Sequence, residues 1–338
     1  MRPMPNWPER NACWLSWHIR AAITRREPHH HPDFSIRVID EPAALYDALA
    51  DDMLSRIVAA REAGRAFVGV FPVGPVGQYP HLAAKLNAGR IDCHHVHLLF
   101  LDEYAFEDGS TIGKSSPWSF ENVAHGALLD RLESPIPPAQ VHFPGPGNIA
   151  RYDELVAERS GGRGADVIYG GIGWCGHFAF WEPHLAECFA DLDAWRAAHA
   201  AFVRLHPMTI LHNSLRAGGD WSSIPPCAYT VGPGILLGAQ WRSFWLDAYL
   251  GGGMSWQRFI GRLATHGPVT PLVPASILQT APGEVVFLGA VADEIGGPKT
   301  SWQQAEPAVT SEVLPAHTEK SHVDSGREFE HHGRPLGA

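Results

Sequence analysis

Residues 170–183 read GGIGWCGHFAFWEP and bring a thiol, an imidazole and a carboxylate close together as Cys175, His177 and Glu182. The stretch follows the apolar run Asp166-Val-Ile-Tyr169, which reads as a buried strand. Ionisable groups at the carboxyl end of such a strand occupy the place where open α/β sheets carry their chemistry. Glycine allows positive φ and close backbone approach, so Gly171 and Gly176 are candidate ligand contacts. An imidazole oriented by a carboxylate has its tautomer and basicity fixed, and Glu182 lies five residues after His177. The plain alternative is a buried histidine bonded to a backbone carbonyl. A thiol is neutral near pH 7 unless its pKa is lowered. Cys175 reads either as a nucleophile beside His177 or, more simply, as a space-filling thiol, because residues two apart seldom form such a pair by local geometry.

A second cluster follows another apolar run. Asp102 and Glu103 come straight after Val96-His-Leu-Leu-Phe-Leu101, again at the carboxyl end of a strand. A positioned, partly desolvated carboxylate can abstract a proton next to a carbonyl. The competing reading is a cap for the next element. Cys93, His95 and His97 would alternate onto one strand face, a weak zinc pattern. His29-His30-His31 precedes a Pro-Asp turn and reads as a solvated loop.

Taken together, these stretches resemble the glucosamine-6-phosphate deaminase/isomerase family, which is related to the 6-phosphogluconolactonases. The family's signature usually reads GGIGxDGHIAFNEP. Here Cys175 stands for its aspartate and Trp181 for its asparagine. Thr230-Val-Gly-Pro-Gly-Ile-Leu-Leu237 resembles the family's TVGxGTLL. Gly267-Pro-Val-Thr-Pro-Leu-Val-Pro-Ala-Ser-Ile-Leu-Gln279 resembles its GPVTPxxPASxLQ, and Pro117-Trp-Ser-Phe120 its YxSF. The likeness spans residues 43–290 or so in the right order. It implies that Asp102 moves a proton between C1 and C2 of a sugar. It further implies that His177 promotes opening of the pyranose ring and that Glu182 orients it.

The resemblance also shows an altered phosphate site. The family's loop after the first strand reads like GLPTGSTP, and the matching stretch is Val70-Phe-Pro-Val-Gly-Pro-Val-Gly77. Pro72 and Gly74 remain, while the hydroxyl positions have become Val73, Pro75 and Val76, and Pro75 also removes an N–H donor. Leu215 takes the place of the family's arginine, with Arg216 one residue later; Gln257 stands near the place of its lysine, with Arg258 adjacent. A phosphate dianion calls for charge-assisted donors. The expected activity is therefore a sugar isomerase/deaminase acting on an amino sugar or its phosphate. Glu103, Gly74, Gly171, Cys175, Gly176, Trp181, Arg216 and Arg258 are its substrate-binding candidates. A sugar lactonase and a catalytically silent sugar-binding protein are the alternatives. The family implies no metal and a homo-oligomer; no nucleotide cofactor is expected, because no GxGxxG follows the first strand.

The elements that must position these groups alternate. Leu45, Leu49, Met53 and Ile57 recur every four residues, marking a helix from residue 41 that Gly64 caps. Strands are expected at 66–71, 95–101, 141–143, 165–170, 227–231, 243–249 and 284–289, with helices at 120–132, 150–160, 190–202 and 255–265. This order predicts a three-layer α/β/α fold around a mainly parallel, Rossmann-like sheet of about seven strands. Residues 1–40 read as an irregular arm whose Trp7, Trp14 and Trp17 pack onto the domain or a neighbour. Residues 41–297 are the domain, and 298–338 a polar, disordered tail. The formal charge of −10 argues against a nucleic-acid surface. No apolar run reaches the roughly 18 residues of a membrane span. Five scattered cysteines and no apolar leader segment give a cytoplasmic expectation.

Overall fold

The computed structural model describes residues 23–248 and 255–293. In chain order its strands are β1 (Phe34–Ile39), β2 (Phe67–Phe71), β3 (Val96–Phe100), β4 (Asp102–Ala105), β5 (Val141–His142), β6 (Val167–Gly170), β7 (Ala201–Arg204), β8 (Cys227–Thr230), β9 (Arg242–Leu246) and β10 (Gly283–Leu288). The helices are α1 (Pro42–Glu62), α2 (Gln78–Ala88), α3 (Phe120–Ala127), α4 (Tyr152–Ser160), α5 (Leu192–Arg196), α6 (Pro207–Ser214), α7 (Pro233–Gly238), α8 (Gln257–His266) and α9 (Gly289–Ala292).

Seven strands form one sheet in the order β1-β10-β9-β6-β2-β3-β5, with every pair parallel. β2 reads FVGVF and is buried at every position, as a strand covered on both faces must be. Parallel neighbours need long crossovers, which the helices supply, giving the expected three-layer α/β/α architecture. α1 buries Leu45, Leu49, Met53 and Ile57 along one face, starts with Pro42 in its first turn, and is followed by Gly64 at φ +64. The chain runs from β2 to its neighbour β3 and then to β5. On the other side of β2, β6 leads to β9 and β10. Connections leaving β2 and β6 therefore diverge, and a crevice opens above their carboxyl ends.

The second sheet, β4-β8-β7, is small and antiparallel, and the sequence did not reveal it. Residues 227–231 belong to it and not to the main sheet. Residues 190–202 are not one helix: α5 ends at Arg196 and β7 begins at Ala201. β7 is four residues long and only its Val203 is buried, so it is too short to stand out from the preceding helical stretch. β1 likewise corrects the irregular arm. Residues 34–39 form an edge strand paired on one side with β10, and they take the seventh place in the main sheet. Trp7, Trp14, Trp17 and residues 298–338 lie outside the described residues.

The histidine run ahead of β1 is docked, not solvated. His30 is buried; its Nε2 pairs with the Thr265 carbonyl at 2.7 Å, and its ring meets Phe34 and His266 edge-on. His29 Nε2 pairs with Gln279 Oε1 at 2.7 Å. A hydrogen bond of this kind contributes about 1 kcal/mol, and the packed ring adds to it. His30→Ala should lower the unfolding free energy by about 1–3 kcal/mol in a urea titration, where His31→Ala, on the more open neighbour, should cost under about 0.5 kcal/mol.

Candidate active site

A cavity of about 370 Å³ occupies the crevice, walled by the segments that follow β2, β3, β6 and β9 and by the turn after α6. Asp102 and His177 both face it. Asp102 sits where the two sheets meet: β3 ends at Phe100, and Asp102 opens β4 opposite Thr230. The backbone there is clamped from both sides, because Leu101 N donates to Phe71 O at 3.0 Å and Val231 N donates to Leu101 O at 2.9 Å. The Asp102 side chain is buried and has no hydrogen-bond partner among the described residues. Burial raises its pKa to about 8; nearby His177 opposes the shift and Glu103 adds to it.

His177 is held by a tight loop. Gly173 N donates to His177 O and Gly176 N donates to Gly173 O, both at 2.9 Å, and Gly176 adopts φ +91, which suits glycine. The imidazole Nδ1 lies 3.1 Å from Glu182 Oε2, 3.2 Å from Cys175 Sγ and 3.0 Å from Thr209 Oγ1. Nε2 lies on the Gly173 side: a Cβ added at Gly173 would stand 1.9 Å from it. Burial disfavours the imidazolium, but Cys175 and Glu182 outweigh that and set the pKa well above the ordinary histidine value. Burial would raise the Glu182 carboxyl, yet His177, then Cys175 and Thr209, hold it below the usual range. Its second oxygen, Oε1, accepts from His206 N at 3.2 Å.

Of the other candidates, Gly74, Gly171 and Arg216 line the cavity. Glu182 and Cys175 stand behind His177, and Gly176 packs against Val273 and Ile260. Glu103 turns away from the cavity: its carboxylate accepts from the backbone N–H of Tyr104, Phe120 and Glu121 and from Ser119 Oγ, at 2.8 to 3.0 Å. It thus caps the start of α3. Trp181 is buried against Phe189, outside the cavity wall. Arg258 donates to the Ala290 carbonyl at 2.6 Å and pairs with Asp293 at 3.6 Å, also away from the wall. Gln257, beside it, does reach the wall, bonding Ile172 O and Ala248 N at 2.9 and 2.8 Å.

Several wall groups escaped the sequence reading. Thr209, buried on α6, completes the polar cluster at His177 Nδ1. His212, three residues on, faces the cavity against Trp256 with Nδ1 unpartnered, and burial first, then His177 and Arg216, depress its pKa to about 3. Tyr46 on α1 donates to Asp247 at 2.7 Å, after β9, and burial raises the Asp247 pKa. A three-residue spacing on a helix, as for Thr209 and His212, was the available signal. The donors of Cys175, His177, Glu182 and Thr209 are the candidates for holding a cation. Cys93 and His95 instead bond the Ile91 and Ile57 carbonyls.

The chain is 30% identical over 215 residues to the glucosamine-6-phosphate deaminase of Porphyromonas gingivalis, covering 61% of this chain and 75% of that protein. It is 31% identical over 211 residues to glucosamine-6-phosphate deaminase 2 of Bacillus subtilis, with the same coverages. No protein-family model matches. The structure superposes with a TM-score of 0.62 on a monomeric glucosamine-6-phosphate deaminase at 20% identity, over 76% of this chain and 98% of that one. A 6-phosphogluconolactonase from Thermotoga maritima superposes at 0.52 and 17% identity, over 75% and 99%. At such identities these structural likenesses speak to the fold alone.

The Gly173 contact gives a direct test of how tightly the imidazole is held. Gly173→Ala should cost about 1–3 kcal/mol in urea denaturation, because loop or ring must shift. Gly126→Ala, on α3 with nothing within 4 Å of the added Cβ, should be neutral or stabilising.

Proposed function

The chain belongs to the glucosamine-6-phosphate deaminase family, and from that premise we propose that it converts an amino sugar from aldose to ketose with release of ammonia. The observation that carries the reading is the buried, unpartnered Asp102 carboxylate facing the same cavity as His177. In this reading His177 presents Nε2 toward the sugar ring oxygen and assists opening of the ring. The open form exposes a C1 aldehyde, which acidifies the C2 proton. Asp102 takes that proton and returns it to C1 while one amine proton passes to the C1 oxygen, leaving an alcohol at C1 and an imine at C2. Water adds to the imine and ammonia leaves, so atoms and charge balance. A desolvated carboxylate with a raised pKa is matched to this proton transfer. A lactonase reading would leave Asp102 without a task.

The cavity wall bears on the sugar's far end. Val73 and Pro75 form its surface where the family's loop has hydroxyls, Arg216 is its one arginine or lysine side chain among the described residues, and Asp247 adds a carboxylate. A phosphate dianion loses hydrogen bonds to charged groups worth about 1.5–3 kcal/mol each in such a site. The finer proposal is therefore that the substrate is recognised mainly at C1 to C5.

Two sets of measurements test this, the first on Asp102. Asp102→Asn should abolish ammonia release, by at least about a thousandfold, while an unreactive amino-sugar alcohol still binds. In the wild type Asp102 must be ionised to act as base, and its raised pKa keeps it protonated below about 8. kcat/KM, corrected for the substrate's own amine, should therefore rise with pH and level off above about 8; a flat profile from pH 5 to 9 would remove Asp102 from the role. Second, glucosamine and glucosamine 6-phosphate should have kcat/KM values within about tenfold of each other. A preference of more than about a thousandfold for the phosphate would mean that Arg216 and backbone groups rebuild the anion site.

A further inference from the structure

Four side-chain donor atoms behind His177 make every one of their six mutual contacts. Cys175 Sγ lies 3.2 Å from His177 Nδ1, 3.1 Å from Glu182 Oε2 and 3.4 Å from Thr209 Oγ1. His177 Nδ1 lies 3.1 Å from Glu182 Oε2 and 3.0 Å from Thr209 Oγ1, and those two oxygens are 3.1 Å apart. Four points with six nearly equal separations are the corners of a tetrahedron. Its centre lies about 1.9 Å from each corner, close to the zinc distances of ~2.0–2.1 Å for nitrogen and ~2.0–2.2 Å for oxygen and somewhat inside the ~2.3 Å for sulfur.

Hydrogen bonding alone serves this arrangement poorly. Cys175, Thr209 and His177 Nδ1 can contribute one proton each and an ionised Glu182 none. At most three of the six contacts can then be hydrogen bonds, and the other three press unshared donors or lone pairs together. All three donors aimed at Oε2 would satisfy the count but leave those donors crowded about one oxygen. A cation at the centre turns all four into inward-facing ligands at once.

We propose that Cys175, His177, Glu182 and Thr209 form a four-coordinate site for a divalent metal ion, zinc by its donor set. A thiolate and a carboxylate neutralise a divalent charge, and the mix of sulfur, imidazole and oxygen suits borderline-soft zinc better than magnesium or calcium. Among the described residues, no other cluster of three His, Cys, Asp or Glu donors gathers in this way. His177, Glu182 and Thr209 are buried, while Cys175 is partly exposed. Glu182 Oε1 is already held by His206 N, the outer support that orients a ligating carboxylate. Loading the site displaces the Cys175 thiol proton and any proton on His177 Nδ1. His177 is then fixed as the Nε2–H tautomer, a donor directed past Gly173 to the cavity. The proposal rests on the cluster and not on the deaminase reading.

The test is metal content and spectrum of the full chain, made without a histidine tag and without chelator, and read in the absence of any sugar. Elemental analysis should find about one zinc per chain after dialysis. Cobalt-reconstituted protein should show thiolate-to-cobalt absorption in the near ultraviolet together with the visible bands of tetrahedral cobalt. Cys175→Ser should abolish the near-ultraviolet band and weaken zinc binding by at least about a hundredfold, and Thr209→Val by about tenfold. Should Cys175→Ser fail to fold, Glu182→Gln read on the same cobalt spectrum serves. Less than about 0.1 zinc per chain after incubation with equimolar zinc would overturn the proposal, as would a cobalt–thiolate band that survives Cys175→Ser, which would place the ion at another cysteine. Ammonia release plays no part in these readouts, so failure of the metal site and failure of the deaminase reading are separate results.

Discussion

The site exists because the sheet changes direction between β2 and β6. Two parallel strands that feed crossovers on opposite sides cannot have their outgoing loops packed over each other, and the space between stays open. Three of the cavity's ionisable groups arrive from strand ends at that gap: Asp102 after β3, His177 after β6, Asp247 after β9. Gly74, after β2, supplies floor. No large movement of the chain is needed to bring these groups together. The seven-stranded order sets their spacing, and a change of strand order would scatter them.

The second constraint is electrostatic. Asp102 is largely buried at the cavity wall with no side-chain hydrogen bond among the described residues, and burial raises its pKa. The backbone just before it is fixed at Leu101, by Phe71 on one side and Val231 on the other. Glu103, the very next residue, shows the opposite treatment. It is buried as well, but three backbone N–H groups and Ser119 surround its carboxylate, and it serves α3 rather than the cavity. The contrast is between one acid that faces the cavity and an adjacent one that caps a helix. It depends on which side of a four-residue strand each faces.

That alternation also explains what could be read from the sequence. Asp102 and His177 were legible because they follow apolar runs that can only be buried strands. Most main-sheet strands, from β2 FVGVF to β10, were legible for the same reason. β1 and β7 were not: β1 alternates apolar and polar residues as FSIRVI but follows a Pro- and His-rich stretch and buries only Phe34 and Ile36, and β7 is four residues long with Val203 alone buried. Glu103 and Trp181 were misread as substrate contacts because sequence adjacency says nothing of direction: one caps a helix and the other packs against Phe189. Thr209 and His212 were missed because they come from α6, and nothing local tells that this helix closes over the β6 loop. The Tyr46–Asp247 pair joins positions 201 residues apart and could not be read locally at all.

Cys175 is where fold and chemistry pull apart. The family's aspartate at this place would put a second carboxylate beside Glu182, and the two negative charges would share the imidazolium between them. Here a thiol occupies that corner, 3.2 Å from His177 Nδ1 and 3.1 Å from Glu182 Oε2. The exchange alters the charge available there. With the thiol protonated, Glu182 alone balances His177; with it ionised, the corner regains its charge but gains a soft sulfur ligand in place of a hard oxygen. The substitution thus keeps the scaffold that aims His177 at the cavity and changes what can sit behind it. In a buried cluster whose members touch pairwise, that choice is made at one position and felt by all four side chains.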